Sequence, residues 1–226
     1  MIAWFFLLAG PLHLLLSALG GRGLVPPPFL ATIGWLSGLR VRVEGKPASG
    51  TLLMLANHLS WLDILALAGA TRSAFVAHGG LAAHGFLKWL CDQNETEFIA
   101  REQRGTVGRQ VTQVRAALAR RRLTIFPEGT TSDGISLLAF KSSLLSAVDG
   151  ATEVTVQPVA LAYEEAAEIA WLTNEPGMAN VRRILSRTRS VRLTIRFLEP
   201  LSGSELRDRK AMAAAAQAAI AEALAL

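Results

Sequence analysis

The chain has 226 residues, of which 51% are hydrophobic, and it carries a formal net charge of +5. Its single cysteine excludes an internal disulfide and a cysteine-based zinc site, and its four histidines lack metal-ligand spacing, so we expect no bound metal or organic cofactor. A basic, apolar composition favours an anionic membrane surface as a partner, whereas a single tyrosine and the lack of a nucleic-acid-binding motif argue against nucleic acid.

The first predicted elements are apolar. Residues 1–20 are almost wholly apolar but are interrupted by Pro11 and His13, and they lack the basic start and cleavage site of a signal peptide. A second apolar stretch covers residues 29–39. We expect residues 1–40 to form a membrane-associated helical pair at the cytoplasmic face of the inner membrane. One true transmembrane helix is the alternative.

Beyond residue 40, strand and helix patterns alternate. Strands are predicted at residues 41–44, 51–56, 73–77, 97–100, 123–126, 154–162 and 191–197. Helices are predicted at residues 63–68, 81–91, 106–121 and 141–148, in an insertion within residues 164–189, and in an Ala-rich segment that begins at Ser202-x-x-Glu205. The alternation predicts one α/β domain, residues 41–226, with a central mixed, largely parallel sheet flanked by helices.

The segment that follows the second strand, Asn57-His58-Leu59-Ser60-Trp61-Leu62-Asp63, carries a candidate catalytic pair. Positions i and i+5 lie about 140° apart on a helix, so His58 is expected in the turn before a helix and Asp63 in its first turn. Ser60 fits the N-cap of that helix, and Ser60-x-x-Asp63 has the form of a capping box. A purely structural turn is the alternative. With no obvious serine or cysteine nucleophile nearby, the pair suggests a general base for a substrate hydroxyl.

Two further segments carry candidate binding residues. Phe126-Pro127-Glu128-Gly129-Thr130 predicts a tight loop after a strand, whose backbone amides and threonine hydroxyls can face an anion. Glu128 is expected to orient an arginine or to accept a hydrogen bond from a substrate hydroxyl. Arg101 follows the predicted strand at residues 97–100 and can present its guanidinium to a phosphate. An unliganded turn and a solvated charge are the alternatives.

Four segments in this order resemble the glycerolipid acyltransferase superfamily, and within it the 1-acylglycerol-3-phosphate O-acyltransferases. They are Asn57-His58-x4-Asp63, Phe98-Ile99-Ala100-Arg101, Phe126-Pro127-Glu128-Gly129-Thr130 and Val156-Gln157-Pro158-Val159. The resemblance covers residues 40–200. Two further segments, Thr130-Thr131-Ser132-Asp133-Gly134 and Phe140-Lys141-Ser142-Ser143-Leu144, resemble the lyso-ornithine-lipid O-acyltransferase branch.

The resemblance implies a reaction and a role for each candidate residue. His58 would deprotonate the free hydroxyl of lysophosphatidate and Asp63 would orient His58, so that the hydroxyl oxygen attacks the thioester of acyl-CoA or acyl-carrier protein and phosphatidate forms. Arg101 would bind the phosphate of the acceptor. The remaining substrate-binding residues would be Asn57, Glu128, Gly129 and Thr130.

The family's usual arginine after the Gly-Thr pair is Thr131 in this chain, so one phosphate contact is expected to be missing. The acceptor therefore stays open between lysophosphatidate and lyso-ornithine lipid or another lysophospholipid. The choice between acyl-CoA and acyl-carrier protein, the acyl-chain length and the oligomeric state also stay open. A thioester hydrolase and a non-enzymatic lipid carrier are the alternatives from other functional classes.

Overall fold

A computed structural model describes residues 26–78, 97–99, 107–172 and 174–226. Within these ranges the strands are β1 Leu39–Glu44, β2 Thr51–Ala56, β3 Ala74–His78, β4 Glu97–Ile99, β5 Leu123–Ile125, β6 Val154–Tyr163 and β7 Val191–Phe197. They form one sheet in the order β1-β7-β6-β2-β5-β3-β4. All neighbouring pairs are parallel except β6 and β7. The predicted mixed, largely parallel sheet is confirmed.

Helices cover both faces of this sheet. In the described ranges they are α1 Pro26–Leu36, α2 Leu62–Thr71, α3 Val107–Leu118, α4 Ala166–Ile169, α5 Gly177–Leu185 and α6 Arg209–Leu224, with 3-10 helices at Ser143–Ala147 and Gly203–Leu206. The segment predicted as a helix at residues 141–148 is therefore a 3-10 turn. The helix predicted at residues 81–91 lies outside the described residues.

The start of the last helix differs from its prediction. Ser202 and Glu205 do form a capping box, but it caps the N-terminus of the 3-10 helix Gly203–Leu206 and not that of the long helix. The long helix α6 begins at Arg209, because the carboxylate of Asp208 accepts hydrogen bonds from the backbone N–H groups of Lys210 and Ala211. An N-cap aspartate satisfies amides that a helix start leaves without partners, so Asp208 fixes the boundary.

The core has two halves, one on each face of the sheet. Along β2, Leu52 and Met54 point to one half and Leu53 and Leu55 to the other, and all four are fully buried. Helices α1 and α2 cover the first half, while α3 and α6 cover the second. A strand buried on both faces reads as a continuous apolar run, which is the pattern of β2.

Helix α1 packs directly against α2. A Cβ atom added to Gly69 of α2 would lie 2.7 Å from the Cβ of Ala31, and Phe29 and Leu30 of α1 belong to the core. Residues 1–40 are predicted as a membrane anchor. The second half of that segment thus contains a helix, α1, that packs on the α/β domain. Residues 1–25 lie outside the described part. Among the described helices, none combines the length and the apolar character needed to cross a bilayer.

The sheet order places the carboxyl ends of β2 and β6 side by side. From β2 the chain continues towards β3 on one side of the sheet, and from β6 it continues to β7 on the other side. Such a switch point leaves a crevice outside the strand ends, where ligands bind in open α/β sheets. His58 and Asp63 follow β2 at this end of the sheet.

Candidate active site

His58 and Asp63, predicted as a pair, are in direct contact. Nδ1 of His58 lies 2.8 Å from Oδ2 of Asp63. The carboxylate of Asp63 is fully buried, whereas the His58 side chain is 18% exposed. Within the described residues Nε2 of His58 has no hydrogen-bond partner, so it is the ring nitrogen that can accept a proton from a substrate.

The loop from His58 to Asp63 is folded around the Asp63 carboxylate. Oδ2 accepts hydrogen bonds from the backbone N–H groups of Leu59 (2.7 Å) and Ser60 (2.9 Å). Helix α2 begins at Leu62, so Trp61 and not the predicted Ser60 occupies the N-cap position, but the Ser60 hydroxyl still accepts a 3.4 Å hydrogen bond from the backbone N–H of Leu62. Asp63 thus supplies only one limb of the expected capping box. The same oxygen that shapes the loop also binds the histidine.

Asn57 joins the carboxyl end of β2 to β6. Its Nδ2 donates to the carbonyl of Leu161 (3.1 Å) and its Oδ1 accepts from the N–H of Leu161 (2.7 Å). The side chain is fully buried, and both ends of its amide are engaged by one backbone unit. The structure therefore places this predicted substrate-binding residue next to His58, where it fixes the start of the loop from His58 to Asp63.

The imidazole of His58 also rests on an aromatic ring. It stacks on Phe126 with a centroid distance of 4.1 Å and an interplanar angle of 16°. Phe126 is stacked in turn on Phe75 of β3, at 6.0 Å and 9°. Phe126 follows β5 directly, so residues on or next to the parallel strands β2, β5 and β3 together orient the His58 ring.

Glu128 is buried and both of its oxygens accept backbone hydrogen bonds. Oε1 accepts from the N–H of His58 (2.7 Å) and Oε2 from the N–H of Leu138 (2.9 Å). Burial raises the pKa of the Glu128 carboxyl above its usual range, and the two N–H donors oppose that rise. This predicted substrate-binding residue thus bonds to the chain itself and holds His58 against the loop that carries Leu138.

The remaining predicted site residues follow in the same loop. Gly129 has φ of +79° and donates its N–H to the carbonyl of Phe126, a turn that the left-handed region allows for glycine. Thr130 is exposed beside it. Thr131 donates its hydroxyl to the carbonyl of Trp171 at 2.5 Å. Arg101, predicted to bind phosphate, lies outside the described residues.

The insertion between β6 and β7, residues 164–190, forms one wall of the site, which the sequence did not predict. The N–H of Trp171 donates to the carbonyl of Leu59 at 2.8 Å. Nε1 of Trp61 donates to Oδ1 of the buried Asn180 at 3.1 Å. The insertion thus holds the loop from His58 to Asp63 at two points, Leu59 and Trp61. No motif marks these contacts, because their partners lie more than a hundred positions apart or are backbone atoms.

Tyr163 is a further residue of the site, and no sequence pattern predicts it. It is the last residue of β6, and its hydroxyl donates to Oδ1 of Asp63 at 2.5 Å.

Among the described residues, no group of three or more His, Cys, Asp or Glu side chains could hold a metal ion. The arrangement is the buried carboxylate of Asp63, the His58 imidazole that it orients, and Nε2 of His58, which has no partner among the described residues.

The chain is similar to known acyltransferases. The Acyltransferase family model matches residues 39–162. A lyso-ornithine lipid O-acyltransferase of Rhodobacter capsulatus is 33% identical over 191 residues, covering 81% of this chain and 69% of that protein. A 1-acyl-sn-glycerol-3-phosphate acyltransferase of Neisseria meningitidis is 34% identical over 193 residues, covering 79% and 73%.

The fold also resembles that of a solved structure. The crystal structure of the 1-acyl-sn-glycerophosphate (LPA) acyltransferase of Thermotoga maritima superposes with a TM-score of 0.67 and covers 99% of this chain and 94% of that one. At 20% sequence identity this likeness bears on the fold alone.

Proposed function

The chain belongs to the acyltransferase family, and from that premise we propose that it transfers an acyl group from a thioester to the free hydroxyl of a lysolipid, with His58 as general base. One observation carries the proposal. Nδ1 of His58 is bound by the buried Asp63, while Nε2 has no partner in the described part of the chain. An imidazole held in this way accepts a proton at Nε2 and is stabilised once charged.

The proposed reaction needs no covalent acyl-enzyme. The acceptor hydroxyl gives its proton to Nε2 of His58 as its oxygen bonds to the thioester carbonyl carbon. The tetrahedral intermediate then breaks its carbon–sulfur bond, and the leaving thiolate takes the proton back from Nε2. The products are an ester and a free thiol. General-base assistance of this kind contributes about 10²–10⁴ in rate.

The first candidate acceptor is lysophosphatidate, which would give phosphatidate. The family resemblance supports it, as does the Neisseria relative that acts on 1-acyl-sn-glycerol-3-phosphate. In this reading Arg101 binds the phosphate of the acceptor, and the loop of Glu128, Gly129 and Thr130 borders the pocket.

The second candidate acceptor is lyso-ornithine lipid, and a specific contact favours it. The family's usual arginine is replaced by Thr131, whose hydroxyl is already bonded to the carbonyl of Trp171. That position therefore offers no cation to a phosphate. The Rhodobacter relative, which acts on lyso-ornithine lipid, matches this chain to the same degree as the Neisseria relative.

The donor and the place of reaction are also part of the proposal. We propose acyl-CoA or acyl-carrier protein as donor, with no bound cofactor. A net charge of +5 would attract both these anionic donors and an anionic bilayer, so we propose a membrane-associated enzyme at the cytoplasmic face of the inner membrane.

The experiment is transfer of a labelled acyl group by purified enzyme in detergent. Acyl-CoA and acyl-carrier protein are offered with lysophosphatidate and with lyso-ornithine lipid, side by side. His58→Ala and Asp63→Asn should abolish ester formation while the matched change at the exposed Asp149, Asp149→Asn, leaves it intact. The ester that forms identifies the acceptor. Free fatty acid as sole product would replace the proposal by a thioester hydrolase, and wild-type turnover by folded His58→Ala would remove the general base.

A further inference from the structure

Tyr163 is the only tyrosine of the chain, and the reaction proposed above does not use it. It ends β6, the strand whose carboxyl end lies beside that of β2. The ring is buried, and its hydroxyl lies 2.5 Å from Oδ1 of Asp63, a residue 100 positions away in the chain. The contact therefore depends on the sheet order, which brings β6 next to β2.

The two oxygens of Asp63 have different sets of donors. Oδ2 accepts three hydrogen bonds, from Nδ1 of His58 and from the backbone N–H groups of Leu59 and Ser60. Within the described residues Oδ1 accepts one, from the hydroxyl of Tyr163. A fully buried carboxylate oxygen without a donor carries a large desolvation cost. Among the described residues, Tyr163 is therefore the one donor that satisfies Oδ1.

We propose that Tyr163 is a positioning residue of the acyltransferase, which holds Oδ1 of Asp63 so that Oδ2 faces Nδ1 of His58 and shares the negative charge of the carboxylate. It acts on catalysis through Asp63 and touches no reacting atom. The inference rests on the proposed general-base function of His58.

The tyrosine is suited to act only as a donor. Burial raises the pKa of Tyr163 well above its usual range, and the negative charge of Asp63 adds to that rise. The phenol therefore stays protonated at working pH, and its proton can only point to the carboxylate. The other titratable group that faces the pair within the described residues is Glu128, whose Oε1 accepts from the backbone N–H of His58. The Glu175–Arg183 ion pair lies behind Asn180 and Trp61.

The first test is Tyr163→Phe, which keeps the ring and removes the hydroxyl. We expect kcat to fall about 10- to 100-fold, the worth of a hydrogen bond to a charged group. The carboxylate would then share its charge with fewer donors and hold the imidazole proton more tightly, so the acid limb of the pH–rate profile should move to higher pH. The control is Thr124→Val, which removes a fully buried hydroxyl bonded to Ser73 Oγ at 2.7 Å; it should leave kcat and the profile unchanged.

The outcomes separate the two proposals. If the wild type transfers no acyl group, the proposed function fails. If the wild type is active and Tyr163→Phe retains its kcat and pH profile, the role of Tyr163 alone is overturned. A lower kcat with an unmoved profile also overturns it, because a merely structural residue would give that result.

A second measurement covers the case in which Tyr163→Phe does not fold. Tyrosine labelled with ¹³C at Cζ alone gives a single NMR signal in the full chain, because Tyr163 is the only tyrosine. We expect no titration of this signal through about pH 10, where an ordinary tyrosine ionises, and a changed shift in Asp63→Asn. Titration at the ordinary value, or an identical shift in Asp63→Asn, would overturn the proposal.

Discussion

The backbone N–H of His58 donates a 2.7 Å hydrogen bond to Oε1 of Glu128, a residue 70 positions further along the chain. The other oxygen of Glu128 accepts from the N–H of Leu138. One buried side chain on the loop after β5 thus holds the loop after β2, and it does so at His58, the proposed general base. Glu128 fits a role in holding the site together better than a role in holding a substrate.

The first prediction concerns Glu128→Gln. A glutamine side chain offers one acceptor and one N–H₂ group, so one of the two backbone N–H groups would face a donor. We expect kcat to fall about 10- to 100-fold and the free energy of unfolding to fall by about 1–3 kcal/mol, the cost of an unsatisfied buried group. Acyl-transfer kinetics and denaturant unfolding measure both.

The matched control for this variant is Glu199→Gln, because Glu199 is exposed and makes no hydrogen bond or ion pair in the part of the chain described. It should behave as the wild type. If Glu128→Gln raised only the KM for the acceptor and left kcat and stability unchanged, the substrate-binding role first expected for Glu128 would be restored.

The second prediction concerns the contact of the insertion with Trp61. Asn180 is fully buried, accepts from Nε1 of Trp61, and donates to Oε2 of Glu175 at 2.7 Å. Asn180→Leu keeps the number of side-chain heavy atoms but removes these two hydrogen bonds and a third, 3.5 Å bond to the carbonyl of Ala170, so we expect the free energy of unfolding to fall by about 1–3 kcal/mol. Acyl transfer should fall as well, since Trp61 lies between His58 and Asp63.

Two variants sharpen this test. Trp61→Phe keeps an aromatic ring but removes the indole N–H of the pair together with part of the ring, and should reproduce part of the loss of transfer. Asn174→Leu places the same change at an exposed position of the insertion and should leave transfer intact. If Asn180→Leu lost stability yet kept full transfer, the insertion would stabilise the fold without positioning the catalytic loop.

The sequence predicts those parts of the site that are local in the chain. His58 and Asp63 are five positions apart, so helix geometry predicts His58 in the turn before α2 and Asp63 in its first turn, as observed. The apolar run of residues 51–56 likewise predicts β2 with its observed bounds. Ser202 and Asp208 show the limit of local patterns, because each fits a helix N-cap and only the packed chain decides which one begins α6.

Long-range contacts have no such pattern. Tyr163 and Asp63 are 100 positions apart, and Asn57 and Leu161 are 104 apart. Their proximity follows from the pairing of β2 with β6, which a single sequence does not encode as a motif. The actual partners of Glu128 are two backbone N–H groups. Such groups are present at nearly every position of any chain, so no sequence pattern points to them, and the sequence suggests an arginine or a substrate instead.

The third prediction is a pH dependence of stability. Hydrogen bonds from Arg183, and then from Asn180, lower the pKa of Glu175 from 4.5 to about 2. Because the folded state lowers this pKa, the ion pair contributes stability above pH 4.5 and loses it as the pH falls towards 2. Glu175→Gln should therefore have a lower Tm than the wild type above pH 4.5, and the difference should vanish near pH 2.

Thermal unfolding followed by circular dichroism between pH 6 and pH 2 gives this comparison. Glu199→Gln again serves as the control, and its Tm should follow that of the wild type over the whole range. If the Tm curves of Glu175→Gln and the wild type run parallel, the Glu175–Arg183 ion pair does not hold the insertion in place.

The last prediction tests whether α1 belongs to the folded domain. A Cβ atom at Gly69 of α2 would lie 2.7 Å from the Cβ of Ala31 in α1, whereas a Cβ atom at Gly108 of α3 would meet nothing within 4 Å. Gly69→Ala should destabilise the chain, because overpacking strain of about 1–3 kcal/mol exceeds the roughly 0.8–1 kcal/mol gained in helix propensity. Gly108→Ala gains propensity without the strain and should stabilise by about 0.4–1 kcal/mol.

A compensating change makes the Gly69 test specific to the contact between the two helices. Ala31→Gly removes the methyl group that the new Cβ would strike, so the double variant Gly69→Ala, Ala31→Gly should recover most of the stability lost by Gly69→Ala. Denaturant unfolding of the full chain in detergent measures the stability of Gly69→Ala, Ala31→Gly, the double variant and Gly108→Ala. If Gly69→Ala were instead as stable as Gly108→Ala, α1 would move away from α2 at little cost. The apolar face of α1 would then be free for another surface, as the predicted membrane-anchoring role of residues 1–40 requires. Loss at Gly69 with recovery in the double variant would instead make α1 part of the frame that supports α2, the helix on which Asp63 lies.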